Sequence, residues 1–402
     1  MIYYPHYTNS LKIKSQDLLE RIVDELSCIF YPPRDEFRKL IKIVYLSSLF
    51  RKVGLSVGVI LTGEPSVGKS QLMEAIRKTI PENEKIDFTS FTPKYLSYLK
   101  EKDLSRKVIF VEEIKGAPNL ENIKIGLSRG FLHHGSVVTG QGYIRSISSE
   151  VKMQNVVFIT STVDSSLLDP ELLSRCFVFS ISLNEEDRKK ILSAKYSPES
   201  KPIHLELSSS IQKRPPLFVE IPFIEKLVQL FPTDDRSLRD FDKLRGLIMA
   251  HAFVYQDSRP KLDSNTICAT IEDYIGVYEL SPILRFCFNK LPEEIIEFYN
   301  FLRQQESPLS MKELAETYRK SIPTIHRYLN KLIKMGLVDE SKKTLYGNNS
   351  SRKISVYEAI GDLEVPLVLP PPEKINLNDD TVLVEINDLN TELIKKVPEN
   401  GD

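Results

Sequence analysis

The sequence predicts an α/β protein: a phosphate-loop nucleotide-binding domain on a parallel sheet, a helical region after it, and a winged helix. Three observations predict it. Gly63-Glu64-Pro65-Ser66-Val67-Gly68-Lys69-Ser70 fits the pattern G-x-x-x-x-G-K-[ST] without a mismatch. Apolar β-type runs alternate with helical runs around it, as in a parallel sheet covered by helices. Residues 307 to 357 then read helix, helix, hairpin, with ten bases against four acids.

The phosphate loop sits where its chemistry can work. Val57-Gly58-Val59-Ile60-Leu61-Thr62 reads as a strand before it, and Gln71 to Lys78 as a helix after it. A strand feeding a glycine-rich turn that opens a helix aims backbone N–H groups and the positive end of a helix dipole at one point, which suits a triphosphate. Gly63, Glu64, Pro65, Ser66, Val67, Gly68, Lys69, Ser70 and Gln71 are therefore the candidate residues for ATP or GTP. Lys69 would reach the β- and γ-phosphates and Ser70 would hold Mg²⁺.

Composition allows an ordinary globular protein of two or three domains: 402 residues, 41% hydrophobic, 27% charged. No apolar run approaches the roughly 20 residues of a membrane helix, and the N-terminus lacks a signal-peptide pattern, so the expectation is a cytoplasmic protein. Cys28, Cys176, Cys268 and Cys287 show no C-x-x-C spacing and read as buried thiols. His133, His134 and His251 read as structural or surface residues. The net charge of −1 hides an asymmetry, because residues 363 to 402 carry nine acids against three bases.

Along the chain, residues 11 to 53 read as helical, with Leu40, Ile43, Val44, Leu46 and Leu49 near helical spacing. Next come a short strand (Lys85 to Phe88), a helix (Pro93 to Leu99), a buried strand (Val108 to Val111), a helix (Leu120 to Leu132), a hairpin (Gly135 to Tyr143) and a strand (Val156 to Ile159). The prolines between Tyr196 and Pro216 mark a hinge, and Phe223 to Tyr278 reads as helical throughout. The expected units are an N-terminal helical segment (1–36), the nucleotide-binding domain (37–195), a helical domain (196–284), a winged helix (285–360) and an acidic, flexible tail (361–402).

Glu112 and Glu113 end the second apolar strand, about forty residues after the loop. Phosphate-hydrolysing phosphate-loop proteins keep there an acid near Mg²⁺ and a second acid that orients the attacking water. Glu112 is thus the candidate metal ligand beside Ser70, and Glu113 the candidate base. Thr160-Ser161-Thr162 follow the next strand, at the sheet edge where ligands of open α/β sheets sit.

Together these segments resemble the AAA+ ATPases, and within them the minichromosome maintenance (MCM) helicase motor, over roughly Phe37 to Tyr278 and again in the C-terminal domain. Gly63 to Gln71 resembles that family's phosphate loop, Phe110 to Lys115 its Walker-B segment and Leu172-Leu173-Ser174-Arg175 its arginine-finger segment. Asn184 to Arg188 resembles the link that follows, and Arg236-Ser237-Leu238-Arg239-Asp240, continuing to Arg245 and Ala250-His251-Ala252, its sensor-2 helix, which makes the helical domain a lid. The resemblance implies that Arg175 reaches the γ-phosphate of the neighbouring subunit's nucleotide, that Arg239 also contacts it, and that the assembly is a ring, usually a hexamer. The chain departs from the family in four places. Glu112 stands where Asp is usual, and Thr162 where the sensor-1 Asn would be. The spacing from Lys69 to Glu112 is short for the helix-2 insertion, and Gly140 falls where the pore-hairpin lysine is expected, with Gln141 and Arg145 as polar replacements. No N-terminal oligonucleotide-binding domain or zinc-binding cysteines are found, which points to a motor module of a plasmid, virus or integrated element.

The C-terminal region reads as a winged helix on its own terms. Glu293 to Gln305 is one helix, Ser310 caps a second through Tyr318, and Ser321 with Pro323 opens a third, Thr324 to Lys334, which Gly336 ends. Leu337-Val338 and Ile354 to Tyr357 form a hairpin with Lys342, Lys343, Arg352 and Lys353 at its tip. The third helix offers Thr324, His326, Arg327 and Lys331 to a DNA groove and the wing offers four cations to phosphates; a protein-docking winged helix with a solvated basic face is the plainer alternative. The function expected is an ATP-driven DNA motor, with replication proteins as further partners through the acidic tail. A single such module followed by a winged helix also resembles archaeal origin-recognition proteins, which use ATP as a switch, and a transcriptional regulator is a third class.

Overall fold

The computed structural model describes residues 12–89, 103–114, 120–140, 143–163, 169–197, 204–233, 236–288, 293–334, 336–347, 350–360 and 369–375. The expected helix at Pro93 to Leu99, together with Lys115 and Gln141, lies outside them, as does the side chain of Arg145.

Five strands form a parallel sheet: β1 (Val57–Thr62), β2 (Lys85–Phe88), β3 (Val108–Val111), β6 (Val157–Thr162) and β7 (Cys176–Ser180), in the order β2-β3-β6-β1-β7. Every residue of β1, β3 and β6 is buried, as expected of parallel strands covered on both faces. Phe158 at the sheet centre is 0% exposed, and truncating it to Ala would cost about 3–5 kcal/mol. Between β3 and β6 the chain makes an antiparallel hairpin, β4 (Phe131–Gly140) with β5 (Tyr143–Lys152), longer than expected from its glycines.

The first helix, Lys12–Phe30, packs on helices Asp35–Ser48, Lys69–Arg77 and Glu206–Lys213. It joins the core of the parallel-sheet region, in one apolar cluster whose buried residues run from Leu19 to Ile375. The helical reading of Phe223 to Tyr278 is corrected: helices Ile224–Leu230, Ser237–Val254 and Ile271–Tyr278 are separated by β9 (Thr266–Cys268), which pairs in parallel with β8 (Phe218–Glu220). Thr266-Ile267-Cys268 is rich in β-branched residues, and only pairing with a segment some fifty residues away makes a strand of it. The flexible tail expected from residue 361 is corrected in part. Leu369 and Ile375 are buried, and the Tyr274 hydroxyl donates to the Pro370 carbonyl at 2.6 Å, tying this segment to helix Ile271–Tyr278.

The C-terminal domain has a separate core that includes Ile295, Phe298, Leu314, Ile325, Leu329 and Tyr357. Helices Glu293–Arg303, Met311–Thr317 and Ile322–Lys334 precede a hairpin of β11 (Val338–Gly347) and β12 (Ser350–Ala359), with β10 (Leu309–Ser310) paired to β12. This is the winged-helix arrangement. Ser310 and Glu313 form a capping box at the second helix, which satisfies end groups of that helix reciprocally.

Candidate functional site

The loop after β1 has the backbone of an anion cradle. Gly63, Ser66 and Gly68 have φ of 138°, 64° and 96°. A Cβ on Gly63 would stand 2.3 Å from the Ile181 carbonyl oxygen, and one on Gly68 would stand 3.0 Å from the Phe30 ring. Both positions therefore exclude other residues. Helix Lys69–Arg77 starts at Gly68 with no side-chain cap, so its first N–H groups face the loop, where an anion is stabilised. The Lys69 ammonium lies across the cradle and donates to the carbonyls of Gly63 (2.6 Å) and Glu64 (2.8 Å). Burial lowers its pKa and Glu113 opposes that shift, which brings Glu113 into electrostatic reach of Lys69.

Ser70 and Glu112 line one cavity of about 100 Å³, together with Arg77, Asp87, Thr89 and Phe110. A hydroxyl and a carboxylate converging beside a phosphate loop are the oxygen donors Mg²⁺ takes, and this donor set fits it. The turn carrying the two acids is laced to β6: Ser161 Oγ donates to the Glu112 carbonyl at 2.5 Å, and the Ile114 N–H donates to the Ser161 carbonyl at 2.9 Å. Thr162 is buried at the end of β6, and its hydroxyl donates to the Ile114 carbonyl at 3.4 Å. Gln71, Glu64, Pro65 and Ser66 are exposed and Val67 is buried.

Arg175 and Arg239 lie elsewhere. Both line a cavity of about 600 Å³ with Ser56, Asn155, Ser128 and Asp242. Ser56, Asn155 and Arg175 directly precede or nearly precede β1, β6 and β7, so this cavity is at the N-terminal end of the sheet, whereas the phosphate loop, Glu112 and Thr162 are at its C-terminal end. The six residues of β1 separate the two by about 20 Å. The Arg175 guanidinium bonds the Glu171 carbonyl (2.7 Å) and carboxylate (3.0 Å) and Ser128 Oγ; Arg239 Nη1 donates to Ser174 Oγ. The helix carrying Arg239 is pinned by Lys243, 4% exposed, whose ammonium pairs with Asp240 at 2.6 Å and reaches the Cys176 carbonyl at 3.4 Å.

In the winged helix, His326 is exposed, whereas Arg327 and Lys331 are half-buried. Burial, with Arg236 in electrostatic reach, lowers the Lys331 pKa against the opposing charge of Glu294. The four wing cations do not sit at the tip as expected. They are strand residues in the register Lys342↔Ser355, Lys343↔Ile354, Thr344↔Lys353 and Leu345↔Arg352. Lys342 and Lys353 therefore share one face and Lys343 lies on the other; the side chain of Arg352 lies outside the described residues. The ladder runs through polar and charged residues to Gly347↔Ser350, further than the local signals showed.

Several residues at the cradle had no sequence signal. Phe30 packs on Gly68, Arg34 donates to the Ser182 carbonyl and pairs with Asp187, and two winged-helix residues touch the loop's borders. Thr62 Oγ1 donates to Glu294 Oε1 at 2.6 Å, and Lys320 pairs with Glu64 at 2.9 Å. The aromatic-proline run Phe30-Tyr31-Pro32-Pro33 could have marked the first; nothing local marks the others.

The family described as winged helix-turn-helix DNA-binding matches residues 301–339. That supports a DNA-associated role for the C-terminal domain. No curated protein matches the chain. Among solved structures the chain is similar to a full-length MCM homolog from Methanopyrus kandleri, at 17% identity and a TM-score of 0.38, over 70% of this chain and 62% of that one. Among the described residues, no helix is long and apolar enough to cross a membrane.

Proposed function

We propose that the chain is an AAA+ ATPase of the MCM type, acting on DNA in replication, with each ATP held between two subunits of a ring. The observation that carries this reading is the pairing of an anion cradle and two acids at one end of the sheet with two arginines at the other end. Gly63 to Gln71 would hold the triphosphate, with Lys69 on the β- and γ-phosphates. Ser70 and Glu112 would hold Mg²⁺, which when bound neutralises phosphate charge. Glu113 would orient the attacking water, and Thr162 would sit beside it. Arg175 and Arg239 cannot reach their own cradle across the length of β1, so they would stabilise charge on a neighbour's γ-phosphate.

The test is subunit mixing. Lys69→Ala and Arg175→Ala should each be inactive in MgATP hydrolysis, and mixing them should restore a fraction of it, because a mixed interface pairs an intact cradle with an intact arginine. Failure to restore activity in assemblies that demonstrably exchange subunits would remove the shared site. An ATP-switched replication initiator or helicase loader is the second reading. The ion pair between Lys320 and Glu64 favours it, since a switch requires a domain in contact with the phosphate loop.

A further inference from the structure

Thr62 and Glu64 flank Gly63, the first glycine of the loop, and the winged helix holds both. Glu294, on the domain's first helix, accepts from the Thr62 hydroxyl at 2.6 Å; Lys320, before its third helix, pairs with Glu64 at 2.9 Å. The same seat continues toward the lid. Cys287 Sγ donates to the Val178 carbonyl at 3.3 Å, Arg236 Nη2 donates to the Cys287 carbonyl at 3.4 Å, and helix Glu293–Arg303 packs on β7. The Lys320 ammonium holds the Glu64 carboxyl below the usual carboxylate range.

This seat has two consequences. A carboxylate, Glu294, is bonded to Thr62, one residue before the cradle, where its charge opposes a polyphosphate in the loop. Lys320, which directly precedes helix Ile322–Lys334, is tied to Glu64, and Lys331 on that helix is half-buried, so part of the helix that a winged helix presents to a groove is engaged.

We propose that the winged helix is a nucleotide-released latch. Seated on the loop, it keeps its DNA-facing helix partly covered; a triphosphate in the cradle displaces Glu294 and loosens the Lys320–Glu64 pair, and the freed domain binds DNA. The proposal rests on the nucleotide-binding reading of the loop. Because both ligands favour the released state, each must tighten the other by the same factor.

The experiment uses the full chain, with duplex DNA and a fluorescent ATP analogue as probes, and measures the affinity for each alone and together. Glu294→Ala should tighten DNA binding in the absence of nucleotide by on the order of five- to tenfold, the usual lower range of such couplings. It should also tighten the analogue, and it should abolish the gain in DNA affinity that the analogue gives wild type. Glu64→Gln, which leaves the winged helix untouched, should reproduce the DNA effect, and Glu306→Gln, an exposed acid of the same domain, serves as the charge control. Unchanged DNA affinity in Glu294→Ala and Glu64→Gln, or an equal gain in Glu306→Gln, overturns the latch even where the analogue binds normally. If no protein binds the analogue while Glu294→Ala and Glu64→Gln still tighten DNA, nucleotide release falls and the covered helix stands.

Discussion

At the C-terminal end of the parallel sheet the candidate groups converge: the cradle, Lys69, Ser70, Glu112, Glu113 and Thr162 come from three strand ends that the sheet order sets close together. At the N-terminal end, Arg175 and Arg239 converge just as closely in their own cavity, held by Glu171, Ser128 and Ser174, with no phosphate loop beside them. One end carries the candidate anion cradle with Lys69; the other carries the two arginines. The six residues of β1 hold the two ends about 20 Å apart, so under the proposed function the two halves would meet between molecules.

The comparison breaks first at Lys69. Lys69→Ala removes the ammonium that lies across the cradle and should abolish nucleotide binding, measured by equilibrium binding of a fluorescent ATP analogue; retained affinity would take the loop out of the site. Arg175→Ala should leave that affinity nearly unchanged and slow hydrolysis by about a thousandfold or more, the usual range for such a group, and Arg239→Ala should act in the same direction. A loss of nucleotide affinity in a form shown to be monomeric would mean that the arginines serve their own subunit. Glu113→Gln should keep binding and lower turnover by about a hundredfold or more, with single-turnover phosphate release as the readout; unchanged release would remove Glu113 as the base.

The wing sharpens the same lesson at a smaller scale, because residues adjacent in sequence again face apart. Lys342 and Lys353 share a face and Lys343 does not, so one phosphate backbone meets at most one set. Replacing Lys342 and Lys353 with Ala should flatten the salt dependence of duplex binding by about two units, and Lys343→Ala by about one unit or none. Additive losses across all three would show that the hairpin twists both faces onto the DNA.

Much of the candidate site was legible because its chemistry is local. The phosphate loop needs glycines at fixed spacing between a strand and a helix, and Gly63, Gly68 and Lys69 declare that in eight consecutive residues. The acids at 112 and 113 close an apolar run that reads as a buried strand, and Ser310 announced a helix start. The winged helix was readable from caps and breakers, since its three helices are short-range structures.

Sequence by itself therefore determined the elements whose stabilising contacts lie within a few residues: the cradle, the buried strands and the capped helices. Tertiary structure alone decided what depends on long-range contact. It made a strand of Thr266–Cys268 by giving it Phe218–Glu220 as a partner, and it buried Leu369 and Ile375 on a helix a hundred residues upstream. It also set Arg175 and Arg239 at the far end of the sheet and placed Glu294 and Lys320 on the borders of the phosphate loop. A charged side chain carries no mark of the partner it will meet, because that partner is chosen by how separate elements pack, and packing free energy is shared among residues far apart in the chain.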